Sequence, residues 1–339
     1  MIEIEEDGLS DRVTLKSIAQ DLGISHMTVS RALSDHPSVQ PQTRAKVLRR
    51  AKELGYVKSA AAKAMRGDGM KIVGLMLPNI TNEFYARFAN ELALACTAKS
   101  YQLIVHLTND DAYTEQASLV QLREVQAHAV AMVPAPGQAN NSGNRNLPHR
   151  MRVVQFIREK PADKPFASVL VDDRDALRDA VLHLAKMGHK SIAYIGGRTT
   201  LSTGRRRFNA YRRGLIAAGL GEDTNYVYSG PPTFEMGERH AEQILDACKA
   251  TAIVCGGFEI SSGALNAIMG RDISLNKDLA FVGYGDPSFY AWIGGGITTV
   301  HVPVVALAHR TAELLTLDTL SEAESLRTKT SLKAHLRIR

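Results

Sequence analysis

The sequence predicts a small all-α segment followed by a large α/β body of two doubly wound halves, and three observations carry that prediction. Positive charge is concentrated near one end, apolar residues there recur at helical spacing around a glycine, and from residue 71 onward short apolar runs alternate with helical stretches. The chain has 339 residues, 45% hydrophobic and 22% charged, enough for one large domain or two ordinary ones with a packed core. Such a composition excludes disordered, collagen-like and disulfide-scaffold classes.

The formal net charge is only +6, but it is unevenly placed. Residues 12–69 carry 11 basic and 4 acidic side chains, the first 11 residues carry 5 acids and no base, and the remaining 270 residues sit at +4. One short segment is therefore a cation with a nearly balanced body behind it, the pattern of a nucleic-acid-binding module. The opening MIEIEEDGLSD is unlike a secretion signal, and no apolar run approaches the roughly 20 residues of a membrane helix. A cytoplasmic protein with no membrane partner is expected. Cys96, Cys248 and Cys255 are odd in number, lack CxxC spacing and lie in apolar segments, which fits reduced core thiols. Residues 138–146, rich in Asn, Gly and Ser, are expected to form a loop.

In the basic segment, Thr14 precedes Leu15, Ile18, Ala19 and Leu22, an i, i+3, i+4, i+7 face whose first turn its hydroxyl can cap. The helix should stop at Gly23. Ser25 can cap a second helix with Val29, Ala32 and Leu33 inward and His26, Met27, Ser30 and Arg31 on the other side. A third helix is expected from Pro41 to about Gly55, with Val47, Leu48, Ala51 and Leu54 closing a three-helix core and Arg44, Lys46, Arg49, Arg50 and Lys52 around it. Helix, Gly-containing turn, helix is the helix-turn-helix pattern, in which the start of the second helix reaches base edges in the major groove. Spacing alone leaves two readings open: a DNA-reading motif, or two amphipathic helices with a solvated basic face.

The residues VTLKSIAQDLGISHMTVSRALSDHPSVQPQTRAKVLRRAKELGYV strongly resemble the headpiece of the lac repressor (LacI/GalR) family. They match its V-T-hydrophobic-x-x-[IV]-A, G-[VI]-S-x-x-T-V-S-R-x-L and T-R-x-x-V through L-G-Y patterns. The resemblance implies a sequence-specific regulator that binds a pseudo-palindromic operator as a homodimer. It makes His26 and Met27 the variable base readers and Arg31 a major-groove base or phosphate contact. Arg can read guanine bidentately, whereas Met27 offers only apolar contact, for example to a thymine methyl. Thr14, Ser25, Thr28 and Ser30 fall to phosphate contact, with capping an equal role for Ser25 and Thr28. The family usually has Ser before the proline of helix three; Gln40 stands here, which implies a weaker cap.

Residues 58–70 are Ala-rich yet too short for a stable isolated helix, so a flexible linker is one reading. The resemblance implies another: a hinge that folds on the operator, with Ala62, Lys63, Met65 and Arg66 against the minor groove and Met65 as an apolar wedge. The domain organisation expected is an acidic tail over 1–11, the helix-turn-helix domain over 12–57, the hinge over 58–70, and an effector-binding and dimerisation domain over 71–339.

In the body, KIVGLMLPN, QLIVHLT and AVAMVPA read as strands separated by helices at about 82–99 and 114–126. RVVQFI, SVLVDD, a helix over 174–187, SIAYIGG, a helix over 204–218 and YVYSG follow the loop. A helix over 234–249, AIVCGG, a helix near 260–269, LAFVGYGD and ITTVHVP complete the series, and SLKAHLRIR alternates like a final strand. Ligands of such halves lie at the strand C-terminal ends. No GxGxxG after a strand, P-loop, HExxH or GxSxG is present, so no enzyme, cofactor or metal is expected. His183 and His189 bracket a helix terminus and read as structural. Asp172 and Asp173 follow a strand and should face opposite ways.

VGLMLPNITNEFYARF, VLVDDRDA, HLAKMGHKSIAYIGG, LSTGRRRFNAYRRGL, FVGYGD and ITTVHVPV are similar to the family's effector-binding domain, itself like the periplasmic sugar-binding proteins. The resemblance implies a periplasmic-binding-protein-like body, with Phe84 or Tyr85 and Arg207 touching a small-molecule effector and Arg158 joining them. Core packing is the alternative for Phe84. Two departures bear on the effector. Most sugar-binding members have Asp where this chain has Gly285, the carboxylate coming one place later as Asp286, and Phe258 and Glu259 replace an Asn-Asp pair, so Phe258, Glu259 and Asp286 are expected at the effector. A lost carboxylate beside Arg205, Arg206 and Arg207 favours an anionic effector such as a sugar acid, although Arg205 and Arg206 are equally a solvated face. A solute-binding protein without a regulatory role is the rival reading.

Overall fold

The computed structural model describes residues 13–56, 71–137, 151–160, 166–221, 226–247, 249–317 and 328–339. They fall into two compact units, with the break between residues 70 and 71. The acidic tail, the hinge segment with Ala62, Lys63, Met65 and Arg66, the 138–146 loop and Cys248 lie outside the described residues.

Among the described residues the first unit contains three helices, α1 (Leu15–Leu22), α2 (His26–Leu33) and α3 (Pro41–Glu53). Thr14 caps α1 in a reciprocal box with Ser17, and Gly23 ends it at φ 65, a left-handed conformation that glycine adopts without a Cβ clash. Ile18, Ala19, Val29, Ala32, Val47 and Ala51 form the small core, and Val39, from the turn before α3, completes it. Leu48 corrects the expectation: it is 50% exposed. Three short helices enclose too little volume to bury the full apolar stripe of α3, and Val39 takes the place. Gln40 makes no side-chain cap bond, consistent with the weaker cap expected there.

The second unit is built on two six-stranded sheets. The first comprises β1 (Lys71–Leu77), β2 (Tyr101–Leu107), β3 (Ala129–Met132), β4 (Arg152–Ile157), β5 (Ala167–Asp172) and β11 (Lys329–Lys333). Their order is β2-β1-β3-β4-β5-β11, parallel throughout. The second comprises β6 (Ile192–Gly197), β7 (Val227–Gly230), β8 (Ala252–Gly256), β9 (Ala280–Tyr284), β10 (Thr298–His301) and β12 (His335–Arg337). It repeats the order as β7-β6-β8-β9-β10-β12, with only β12 antiparallel. Each sheet therefore reverses its strand order once, beside β1 and beside β6, and such reversal points open a crevice at the strand C-terminal ends.

Helices cover both faces. α4 (Glu83–Thr97) and α10 (Val304–Leu315) pack on one face of the first sheet, while α5 (Ala112–Glu124) supplies Leu119 and Leu122 to the other. α6 (Arg174–Lys186) and α7 (Ser202–Ala217) cover one face of the second sheet, and α8 (Phe234–Ala247) and α9 (Phe258–Met269) the other. α10 was not expected from the sequence. It follows β10 after Val302 and Pro303 and buries Val304, Leu307, Ala308, Thr311, Ala312, Leu314 and Leu315, so apolar residues blur its period. The single final strand expected is in fact two, β11 and β12, one for each sheet. Cys96 and Cys255 are buried and free, and burial pushes their thiols up to about 11 and about 12, which keeps both protonated at neutral pH.

Candidate functional site

In the first unit the start of α2 presents an uncommitted surface. Ser25 caps the helix, its Oγ accepting the Thr28 N–H at 3.1 Å and lying 2.9 Å from Thr28 Oγ1. Both hydroxyls, like that of Thr14, which accepts the Ser17 N–H at 3.2 Å, already hold helix ends. His26 is exposed, Met27 is 52% exposed, and Ser30 is partly buried. Met27 thus offers an apolar surface beside the helix start. Among the described residues Lys16, Arg31, Lys46 and Lys52 make no ion pair.

Arg49, 75% exposed, meets Glu53 only at 4.0 Å, whereas Arg44 and Arg50 are spent internally. Arg44 pairs with Asp35 at 2.8 Å and donates to the His36 carbonyl at 2.7 Å, fixing the turn before α3. Arg50 on α3 bonds Asp21 on α1 and Glu53 on its own helix, and its guanidinium holds the Asp21 carboxyl below the ordinary range. The basic count of the sequence thus divides into braces and free cations, a division that only tertiary contacts reveal.

In the second unit a cavity of about 510 Å³ lies between the C-terminal ends of the two sheets. Pro78, Asn79 and Asn82 after β1, Pro136 after β3, Arg198 after β6 and Gly257 after β8 line it, so both reversal points open into one cleft. Phe84, Tyr85, Arg158, Arg207, Phe258 and Glu259 all reach it. Phe84 is also packed edge-on to Tyr85 and stacked on Phe88, so it serves core and cleft together.

Arg207 is almost wholly committed. Its Nε donates to Asp173 Oδ2 at 2.6 Å, Nη1 to the Gly256 carbonyl at 3.0 Å and Nη2 to the Tyr284 hydroxyl at 2.6 Å, and the Tyr284 hydroxyl in turn donates to Asp173 Oδ2 at 2.6 Å. Arg206 Nε reaches the other oxygen, Oδ1, at 3.2 Å. Asp173 is completely buried. Burial alone would raise its carboxyl, but Arg207 and Arg206 outweigh that and hold it below the ordinary aspartate value. Asp172 turns the opposite way and pairs with Arg174 at 2.8 Å, as alternation along a strand requires.

Arg158 is different. It is 5% exposed, its Nη2 bonds Asp110, and its Nη1 is buried with no partner. The residue before it, Ile157, stands at φ 65, a left-handed conformation that costs a β-branched residue about 1–3 kcal/mol. Backbone strain is therefore stored where the chain turns Arg158 into the cleft. Across the cleft, Glu259 accepts from Asn79 Nδ2 at 3.0 Å, and burial raises its carboxyl despite the amides of Asn79 and Asn82.

Asp286 corrects the expectation. It does not line the cleft but is clamped outside it by Arg337 at 2.6 Å, Arg339 at 2.7 Å and His301 Nδ1 at 3.0 Å. Gly285 at φ 107 and Asp286 at φ 59 reverse the backbone and turn the carboxylate away. The two sequence departures are one structural exchange: a Cβ on Gly285 would lie 2.0 Å from the Phe258 ring, so the ring fills the space a side chain at 285 would need. Arg205 is also outside, exposed on the far side of α7. Asn79, Asp110 and Tyr284 were missed by sequence reasoning and Asp173 was not read as a site residue; the run Asn109, Asp110 and Asp111 soon after β2, a polar turn signal at the C-terminal end of a buried strand, was the clearest signal available, and Asn109 and Asp110 do take φ 50 and 55. Among the described residues no cluster of three or more His, Cys, Asp or Glu could hold a metal, and no helix is long and apolar enough to cross a membrane.

Comparison with known proteins agrees with this division. Residues 14–59 match the family described as bacterial regulatory proteins, lacI family, and residues 181–339 the periplasmic binding protein-like domain. Catabolite control protein A of Priestia megaterium is 27% identical over 316 residues, 90% of this chain and 92% of that protein. The HTH-type transcriptional repressor CytR of Escherichia coli K12 is 25% identical over 311 residues, 90% of this chain and 89% of that one. A lac repressor dimer bound to operator and the anti-inducer ONPF shares the fold with a TM-score of 0.76 at 18% identity, over 96% of this chain and 97% of that one.

Proposed function

The chain belongs to the lacI family of bacterial regulatory proteins and is a DNA-binding transcriptional regulator, and from that premise we propose that it is a cytoplasmic repressor whose operator affinity is set by a small anionic metabolite held in the cleft. The observation that carries the effector reading is Arg158 Nη1, a buried cationic donor with no partner in the wall of the cleft. A buried guanidinium N–H left unpaired is costly, and a carboxylate or phosphate oxygen satisfies it. The anion contact thus falls to Arg158 rather than to the 205–207 run, with Phe84, Tyr85 and Phe258 against the apolar face of the ligand and Glu259 and Asn79 as polar contacts.

On the DNA side, His26, Met27 and Arg31 read bases and Thr14, Ser25, Thr28 and Ser30 meet phosphates, while Ala62, Lys63, Met65 and Arg66 supply the hinge contact in the minor groove. A homodimer on a pseudo-palindromic operator is supported by an apolar stripe on one side of the first sheet. Leu107 and Val105 on the edge strand β2 and Leu94 on α4 are 43%, 42% and 60% exposed. Two linked sites then act reciprocally: a ligand that alters the relation of the two sheets changes operator affinity by the factor by which operator changes its own.

Selection of bound DNA from a random pool tests the first half, with a palindromic consensus expected; enrichment of no sequence would favour a solute-binding protein instead. Thermal-shift screening of sugar acids, phosphate esters and neutral sugars tests the second. Stabilisation by neutral sugars alone would overturn the anionic effector.

A further inference from the structure

Outside the cleft, a second hollow of about 300 Å³ on the body is lined by Arg174, Arg205, Arg206 and Arg213 with Glu159, Ser202 and Asn209. We propose that this arginine pocket is a second ligand site, which takes the dianionic phosphate group of a small metabolite or free phosphate. The pocket is set apart from the cleft by Asp173, whose two oxygens face Arg206 on one side and Arg207 on the other.

Glu159, Asp172 and Asp173 are each already occupied. Glu159 is bonded by Lys329 Nζ at 2.7 and 2.9 Å, Asp172 by Arg174 at 2.8 and 2.9 Å, and Asp173 by Arg206 and Arg207. Arg205 and Arg213 have no acidic partner among the described residues, and Arg206 Nη2 is buried without any partner. Like charges gathered around one concavity repel, and a single dianion relieves that repulsion while accepting from several guanidinium forks. The start of α7 adds to the demand. Its N-cap residue, Leu201, gives no side-chain bond and its first turn holds no acid; Leu201, Thr203 and Gly204 line the cleft and Ser202 the hollow, so the positive helix end is shared between the two. Four arginines around one hollow, with an orphaned buried donor on Arg206, are more than a solvated face needs.

The test uses the full chain and inorganic phosphate against chloride at matched ionic strength. Phosphate is expected to raise the melting temperature of the body by roughly 3 °C at a concentration well above its Kd. The double variant Arg205→Gln/Arg213→Gln alters two exposed, unpaired side chains, so it should fold normally and lose the shift. Arg198→Gln, on the cleft, should keep it. Glycerol phosphate in a parallel arm separates an esterified from a free phosphate, and a shift with either that depends on Arg205 and Arg213 supports the site. No shift in the parent, an undiminished shift in the double variant, or a loss in Arg198→Gln would overturn it.

Discussion

Arg31 is exposed on α2 and makes no ion pair among the described residues, whereas Arg207 on α7 has three of its N–H groups taken by Asp173, Gly256 and Tyr284. The first costs the free protein nothing to display, because water solvates it, and its charge is available to any phosphate or guanine that arrives. The second could not be buried unless a carboxylate came with it, so its charge is cancelled before any ligand binds. The headpiece therefore keeps Arg31 available to a partner, while the cleft of the body converts the Arg207 charge into rigidity and leaves Arg158 Nη1 uncommitted in its wall. Residue type alone does not separate these uses; the company each arginine keeps does.

The sharpest way to break this comparison is to remove the carboxylate on the buried side. Asp173→Ala strands Arg207 and should destabilise the body by about 3–5 kcal/mol in denaturant unfolding; a loss no larger than that of an exposed pair would mean that the cluster is not a rigid element. The same group gives a pH signature. Its folded-state pKa is depressed, so its contribution is complete above about pH 4, the ordinary aspartate range, and drains away as pH falls toward the native value. Asp173→Asn should flatten that acid limb of the stability curve.

On the exposed side, Arg31→Ala should weaken the selected operator by about 1–3 kcal/mol in a titration at fixed salt while leaving body unfolding unchanged. An equal loss on non-specific DNA would reduce Arg31 to a phosphate contact. The smallest effect is expected from Asp21→Ala, which frees Arg50 from an exposed ion pair that Glu53 partly replaces; operator affinity should change by less than about twofold.

Much of this was legible in the sequence. Thr14, Ser25 and Gly23 announced the headpiece helices because caps and left-handed stops are local chemistry. The alternation of buried strands and helices announced two wound halves, and Phe84, Tyr85, Arg158, Arg207, Phe258 and Glu259 do meet in one cleft. What escaped was set by distance along the chain. Asp173 and Arg207 are 34 residues apart, and Asn79 reaches Glu259 across 180, so neither pairing leaves a local trace. Asp286 was misplaced because a shift of one residue beside a glycine at φ 107 reverses the side chain's direction. Leu48 and α10 failed for a simpler reason: apolar periodicity reports a face, not the volume available to cover it.

The pair β11 and β12 carries a consequence for biosynthesis. Residues 329–337 pass from one sheet to the other with only Ala334 between the strands, add the sixth strand to each, and bring Arg337 and, just beyond, Arg339 to Asp286. Neither sheet can close its edge while those residues are still inside the ribosome, although the helical headpiece has long since emerged. A nascent chain thus has a DNA-reading module before it has a finished sensor, and the emergence of residues 329–337 decides when the two halves of that sensor are stitched into one.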